Sequence, residues 1–233
     1  MAVSHAAVQA AREATTTVPI VMFAVADPVA LGWVASLARP GGNLTGVVIE
    51  PDTLLVDKRL HLLKELVPRA SRLGLLTTGE PQVQEQVRAA QRATAGMGLT
   101  VVLAEARDRD YARAFQRLTA ERAHALFVPA SALLNRDRKR IIELCARHRL
   151  PAMYQWRESV EEGGLIACGS SITELARRTA AYVDRILRGA SPAELPVEQP
   201  TTYELALNQA TARALGLAIP PSLLIQADHV VGR

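Results

Sequence analysis

Residues 18–47 begin with an uninterrupted apolar run at 18–25 that is rich in β-branched side chains. A run of this length without alternation is typical of a parallel strand that is buried on both faces. Asp27 and Pro28 come next, and this pair suits the N-cap and first turn of a helix. A glycine-rich stretch and a second apolar run at 44–49 follow. The pattern predicts one βαβ unit, with its helix starting at Pro28.

Apolar stretches and amphipathic stretches continue to alternate along the chain. Further strands are predicted at 72–77, 99–104, 125–129, 151–154, 165–168 and 203–208. Helices are predicted at 2–14, 52–68, 80–96, 111–122, 135–149, 158–162, 172–188, 209–215 and 220–227. Because parallel strands need crossover connections, this order predicts the α/β class with doubly wound parallel sheets.

Several separated motifs in this order resemble one known family. They are ADPVALGWVASLARPGGNLTG, KRLHLLKELVP, RHRLPAMYQWRESVEEGGL, RRTAAYVDRILRGASPAELPVEQPTTYELALN and ARALGLAIPPSLLIQAD. Together they cover nearly the whole chain. The sequence is similar to the ABC-type substrate-binding proteins of the tryptophan/tyrosine-binding type, which have the type I periplasmic-binding fold.

The resemblance implies two lobes joined by hinge crossings. We expect residues 1–50 and 170–195 to form a partial N-terminal lobe, and residues 51–169 and 196–233 to form the C-terminal lobe. Relatives begin two or three β-α units upstream, so the chain is expected to be N-terminally truncated. The first lobe would then be incomplete, and self-association through it is possible.

Composition excludes several classes of protein. Of the 233 residues, 49% are hydrophobic and 21% are charged, and no apolar run is long enough to span a bilayer. The net charge of +4 comes without an aromatic-rich basic patch, so no nucleic-acid partner is expected. Five histidines and two cysteines lack metal-ligand spacing, and nucleotide-binding and hydrolase motifs are absent. We therefore expect no catalytic residue, no metal and no cofactor, and interpret Cys145 as a buried hydrophobe.

Ligands of open parallel α/β sheets bind outside the carboxyl ends of the strands. This rule selects seven candidate ligand-binding residues, Asp27, Thr78, Ser131, Tyr154, Trp156, Glu158 and Gly169. Hydroxyl and backbone N–H groups can hold a carboxylate, whereas Asp27 or Glu158 can hold an ammonium group. Tyr154 and Trp156 can line an apolar pocket.

Most of these residues also have a purely structural interpretation. Asp27 can be only an N-cap, since Asp before Pro at a helix start needs no ligand. Tyr154 and Trp156 can be core packing. The neighbouring Ser170 and Ser171 are expected to cap the helix at 172–188.

The resemblance implies a solute-binding component of an ABC-type uptake system. It would capture a small polar ligand, with an amino acid as one candidate, in the cleft between two lobes, and its partner would be an ABC permease in the membrane. The protein would be periplasmic or membrane-anchored and extracytoplasmic, although the chain shows no export signal. Two alternatives stay open, the ligand-sensing domain of a transcription regulator or signalling protein, and a small-molecule enzyme.

Overall fold

A computed structural model of the protein describes residues 1–25, 27–49, 53–200 and 202–232. The chain forms two compact units. Unit 1 comprises Met1–Pro51 and Ser170–Tyr203, and unit 2 comprises Asp52–Gly169 and Glu204–Arg233.

Ten strands and ten α-helices are present in the described residues. The strands are β1 (Ala2–Val3), β2 (Ile20–Val25), β3 (Leu44–Val48), β4 (Arg72–Thr77), β5 (Thr100–Glu105), β6 (Ala125–Phe127), β7 (Ala152–Tyr154), β8 (Ile166–Gly169), β9 (Glu204–Asn208) and β10 (His229–Val231). The helices are α1 (His5–Ala14), α2 (Val56–Leu66), α3 (Pro81–Thr94), α4 (Tyr111–Ala120), α5 (Ala132–Arg136), α6 (Arg138–Arg147), α7 (Arg157–Glu161), α8 (Ile172–Leu187), α9 (Gln209–Leu215) and α10 (Pro221–Gln226). Short 3₁₀ turns lie at Arg107–Arg109 and Pro192–Glu194.

Unit 1 is built on the parallel sheet β1-β2-β3. Alternate residues of β2 face opposite sides, so that Met22 belongs to a cluster with Val8 of α1, whereas Val21 belongs to a cluster with Leu175 and Tyr182 of α8. Because α1 covers one face of β2 and α8 covers the other, β2 is apolar throughout. The predicted parallel pair β2–β3 is confirmed.

The prediction of a helix that starts at Pro28 is wrong, because the structure has turns and bends there. Asp27 Oδ1 accepts a hydrogen bond from Ala30 N at 3.0 Å, and Trp33 N donates to Pro28 O at 2.9 Å. Gly32 then adopts φ 65°, in the left-handed region, and the chain continues in turns and bends to β3. The chain therefore forms a single turn in place of the predicted helix. The left-handed conformation of Gly32 ends this turn, in the same way that a left-handed glycine ends many helices.

Residues 196–200 belong to unit 1. Their backbone pairs with β3, where Val48 N donates to Glu198 O at 2.9 Å and Glu198 N donates to Gly46 O at 3.0 Å. The lobe boundaries drawn from the sequence remain a prediction.

Unit 2 contains a seven-stranded sheet in the order β10-β9-β8-β7-β6-β4-β5. All neighbours are parallel except β8 and β9, which are antiparallel. One contiguous hydrophobic core fills the unit, with Tyr111, Phe115 and Phe127 among its fully buried side chains. The predicted α/β class with mainly parallel sheets is confirmed.

Three details of the described residues differ from the sequence prediction. The short strands β1 and β10 were not predicted, and β9 pairs antiparallel with β8 in an otherwise parallel sheet. The helix predicted over 135–149 is two helices, α5 and α6, which meet at Asp137. Asp137 leaves helical geometry with ψ 8°, and its side chain is bound by residues of another loop.

Candidate functional site

The strand order of unit 2 creates a topological switch point between β4 and β6. From β4 the chain moves to β5 on one side and then returns to β6 on the other side. The connections that leave β4 and β6 therefore run in opposite directions and open a crevice at the carboxyl ends of these strands. Ligands of open α/β sheets bind at such points.

Two hydroxyl groups from the two strand ends converge on one carboxylate at this switch point. Ser131, in the loop after β6, donates to Glu80 Oε2 at 2.7 Å, and Thr78, directly after β4, donates to the same oxygen at 3.2 Å. Ser131 and Thr78 are 5% and 3% exposed. The Glu80 carboxylate is therefore held in a defined position by buried donors.

Glutamine side chains of α3 fix the backbone of the same two loops. The buried Gln86 donates to Ala130 O at 2.7 Å and accepts from Ala130 N at 2.7 Å. Gln84 Nε2 donates to Thr78 O at 2.6 Å. These bonds rigidify the loops that carry Thr78 and Ser131, so the geometry around Glu80 is set before a ligand arrives.

A depression of about 530 Å³ lies beside Glu80 in unit 2. Its lining also includes Thr78, Leu133 and four charged residues at the end of β5 and just after it, namely Glu105, Arg107, Asp108 and Arg109. It therefore combines three anionic groups, two cationic groups, a hydroxyl and an apolar wall. This combination suits a small polar molecule that carries charge.

The structure places the two candidate aromatic residues in the interior. Tyr154 is 3% exposed and its hydroxyl donates to Cys145 Sγ at 3.5 Å, whereas Trp156 is 8% exposed. Burial raises the pKa of the Cys145 thiol to about 12, so this cysteine is a protonated, unreactive core residue as predicted. The geometry around Tyr154 favours the packing interpretation.

Gly169 ends β8 at a close backbone approach. A Cβ atom there would lie 2.4 Å from Gln155 O and 3.3 Å from a guanidinium nitrogen of the buried Arg59. Arg59 Nε donates to Cys168 O at 2.6 Å. The absence of a side chain at Gly169 is thus required by packing.

Neither Glu158 nor Asp27 is among the residues that line the depression beside Glu80. Glu158 is partly exposed in the first turn of α7. Asp27 lies in unit 1, is exposed, and caps its own turn through Ala30 N. Ser171 caps α8 by accepting from Glu174 N at 3.4 Å, as predicted.

The structure thus brings Thr78 and Ser131 together and adds two residues that sequence reasoning did not select. Glu80 lies two residues after the selected Thr78, and Arg109 lies four residues after the end of β5. The role of each candidate in ligand binding remains a prediction, as does the cleft between lobes.

Two further kinds of site were sought in the part of the chain that the structure describes. No cluster of three His, Cys, Asp or Glu side chains there has an arrangement that could hold a metal ion. None of the described helices has the length and hydrophobicity needed to cross a membrane.

Residues 1–231 match the family described as ABC transporter substrate binding protein, and the chain belongs to this family. It is 30% identical over 218 residues to a "Tyrosine-binding protein" of Clostridioides difficile (strain R20291), an alignment that covers 93% of this chain. The chain spans 62% of the length of that relative.

Two solved structures are similar over nearly the whole chain. One is a conserved domain protein from Vibrio cholerae, with a TM-score of 0.85 and 27% identity, covering 98% of this chain and 77% of that one. The other is an ABC domain in complex with L-Trp from Streptococcus pneumonia, with a TM-score of 0.85, 26% identity and the same coverage. The type I periplasmic-binding fold expected from the resemblance is confirmed.

Proposed function

We propose that the protein is the solute-binding component of an ABC-type uptake system and that it captures a small polar solute, with amino acids as the best-fitting class. The observation that carries this proposal is the convergence of Thr78 and Ser131 on the Glu80 carboxylate at the switch point of unit 2. Family membership and the amino-acid ligands named for two relatives support it.

Glu80 supplies the charge that an ammonium group requires. Thr78 and Ser131 both donate to one oxygen of this carboxylate, which fixes where its charge lies. An amino group that enters the depression then forms a charge-assisted hydrogen bond with this carboxylate. Leu133 gives the same depression an apolar contact for the rest of the solute.

The proposed partner is a membrane permease, and the proposed location is extracytoplasmic, either periplasmic or membrane-anchored. Both follow from the role that the family name describes. The proposal includes no catalytic step, because delivery of a solute requires only that it be bound and released unchanged.

The first test is a thermal-shift screen against the twenty amino acids, with sugars and simple carboxylates as further classes. A ligand at one hundred times its dissociation constant adds about 2.7 kcal/mol to the free energy of unfolding. For a chain of this size that is a rise in Tm of roughly 5 to 10 °C. At least one amino acid is expected to reach this range.

The second test is the isosteric substitution Glu80→Gln, measured by isothermal titration calorimetry. It retains the acceptor for Thr78 and Ser131 but removes the charge, and is expected to weaken amino acid binding by about 10- to 100-fold. The matched control is Glu121→Gln, an exposed glutamate at the end of α4. Unchanged affinity in Glu80→Gln, or chemical conversion of a bound amino acid, would contradict the proposal.

A further inference from the structure

The loop after β5 is tied to the junction of α5 and α6 by a bidentate ion pair. Arg109 Nε donates to Asp137 Oδ2 at 2.7 Å, and Arg109 Nη2 donates to Asp137 Oδ1 at 2.6 Å. Tyr111 donates its hydroxyl to Asp137 Oδ2 at 2.9 Å. The Asp137 carboxylate is buried, so three charge-assisted bonds fix it and, through it, the plane of the Arg109 guanidinium.

The backbone of this loop adopts a conformation that side chains rarely permit. Asp108 has φ 50° and Arg109 has φ 63°, so two successive residues other than glycine lie in the left-handed region. Such residues persist only where surrounding contacts stabilise them. The ion pair with Asp137 supplies these contacts, and Arg109 is thereby held in one position.

Only part of the guanidinium is used by Asp137. Arginine has five N–H donors, and the pair with Asp137 takes one from Nε and one from Nη2. The Arg109 side chain is 51% exposed, whereas that of Asp137 is 5% exposed. Arg109 also lines the depression that contains Glu80. An oriented cation with further donors therefore borders the same space as an oriented anion.

Arg107 shows what an arginine of this loop does without such support. It pairs with Glu105 at 2.8 Å, and their side chains are 80% and 41% exposed. An exposed pair of this kind holds its geometry weakly. The difference singles out Arg109 as the cation of the depression whose position is fixed.

We propose that Arg109 binds the anionic group of the solute and that Asp137, assisted by Tyr111, is the residue that positions it. This inference rests on the proposed function and adds an anion-binding group that lines the same depression as the cation-accepting Glu80. The shared ligand chemistry is a planar or tetrahedral oxyanion, a carboxylate or a phosphate, either of which a guanidinium can bind through two donors.

The experiment compares each of the twenty amino acids with its carboxamide by isothermal titration calorimetry. The carboxamide keeps the ammonium group but lacks the negative charge. The wild-type protein is expected to bind the acid at least about tenfold more tightly than the amide. Inorganic phosphate, used as a competitor, separates the two sources, since only a site that accepts phosphate loses amino acid affinity in its presence.

Three substitutions locate the preference for the acid. Arg109→Gln is expected to bind acid and amide with equal affinity. Asp137→Asn is expected to lower the acid-to-amide ratio while leaving the affinity for the amide unchanged, which a merely structural role would not do. Arg117→Gln is the control, because Arg117 is an exposed arginine of α4 that does not line this depression.

A preserved acid-to-amide ratio in Arg109→Gln would overturn the inference. If the ratio were preserved in Arg109→Gln but Glu80→Gln weakened the binding of both the acid and the amide, the proposed function would stand and the role of Arg109 would be refuted. If no amino acid bound the wild-type protein, both proposals would fall. Should Asp137→Asn not fold, Tyr111→Phe removes one bond to Asp137 and must still lower the ratio.

Discussion

The two units of the protein differ in the size of their sheets and of their hydrophobic cores. Unit 1 has a three-stranded sheet with a separate small hydrophobic cluster on each face, whereas unit 2 has a seven-stranded sheet and one contiguous core. A small unit buries a smaller share of its surface, so each of its contacts carries more of the stability.

One glycine in each unit shows how closely its neighbours pack around it. In unit 1, a Cβ atom on Gly46 would lie 2.2 Å from Met22 O and 2.7 Å from Met22 N, and Gly46 has φ 139°. In unit 2, a Cβ atom on Gly74 would lie 2.4 Å from Leu118 Cδ2. The first obstacle is backbone of the neighbouring strand, and the second is the far end of a flexible side chain.

The largest expected effect is therefore that of Gly46→Ala. Strain at a positive φ and a clash with backbone are expected to destabilise unit 1 by about 3 kcal/mol or more. Gly74→Ala, its counterpart in unit 2, is expected to cost about 1 kcal/mol, since Leu118 can change rotamer. Urea unfolding followed by circular dichroism measures both. Equal losses would remove the contrast between the units.

An intermediate effect is expected for Asp137→Asn in unit 2. This substitution weakens the bonds from Arg109 and Tyr111, and because Arg109 is half-exposed the loss at neutral pH is expected to be about 2 kcal/mol.

The pH dependence of that loss has a definite sign. The hydrogen bond from Arg109, more than the opposing effect of burial, holds the pKa of the Asp137 carboxyl below its ordinary value of 3.8. The stabilisation is thus fully present above the pKa of the unfolded chain and disappears as the pH falls through the lower folded pKa. The difference in unfolding free energy between wild type and Asp137→Asn should be constant above about pH 5 and shrink below about pH 4. A difference that grows on acidification would contradict this ion pair.

The smallest effect is expected for Glu174→Gln on α8 of unit 1. Glu174 accepts from Arg177 and from Arg178 at 3.1 Å, and all three side chains are in contact with solvent. Exposed ion pairs contribute little and are screened by salt. The substitution should lower Tm less than Asp137→Asn does, and 1 M sodium chloride should abolish the difference. A larger loss than that of Asp137→Asn would show that α8 depends on its surface charges.

Some features of both units could be predicted from the sequence. The strand at 72–77 was predicted with the same bounds as β4, because an apolar run between turn residues leaves few alternatives. The turn after β2 was mistaken for a helix, because the left-handed conformation of Gly32 cannot be recognised among several glycines. The antiparallel placement of β9 depends on pairing with β8, which local pattern does not contain.

The candidate site was predictable only in part, for a related reason. Thr78 and Ser131 were found because each follows an apolar strand, a property of neighbouring residues. Their convergence on Glu80 depends on β4 and β6 being adjacent although β5 lies between them in the chain. Arg109 and Asp137 are 28 residues apart, and neither belongs to a motif. Long-range pairings of this kind become visible only once the sheet order is known.

The antiparallel pairing of β8 with β9 has a consequence for how the chain tolerates change in length. Gly169 and Glu204 are directly opposite each other in this ladder, so the chain leaves unit 2 and returns to it at neighbouring positions. For unit 2, residues 170–203 are a closed loop whose ends the ladder already holds together. Doubling such a loop costs only about 0.6 kcal/mol of closure entropy. A change in the length of this segment therefore costs the sheet that carries Glu80 and Arg109 little closure entropy.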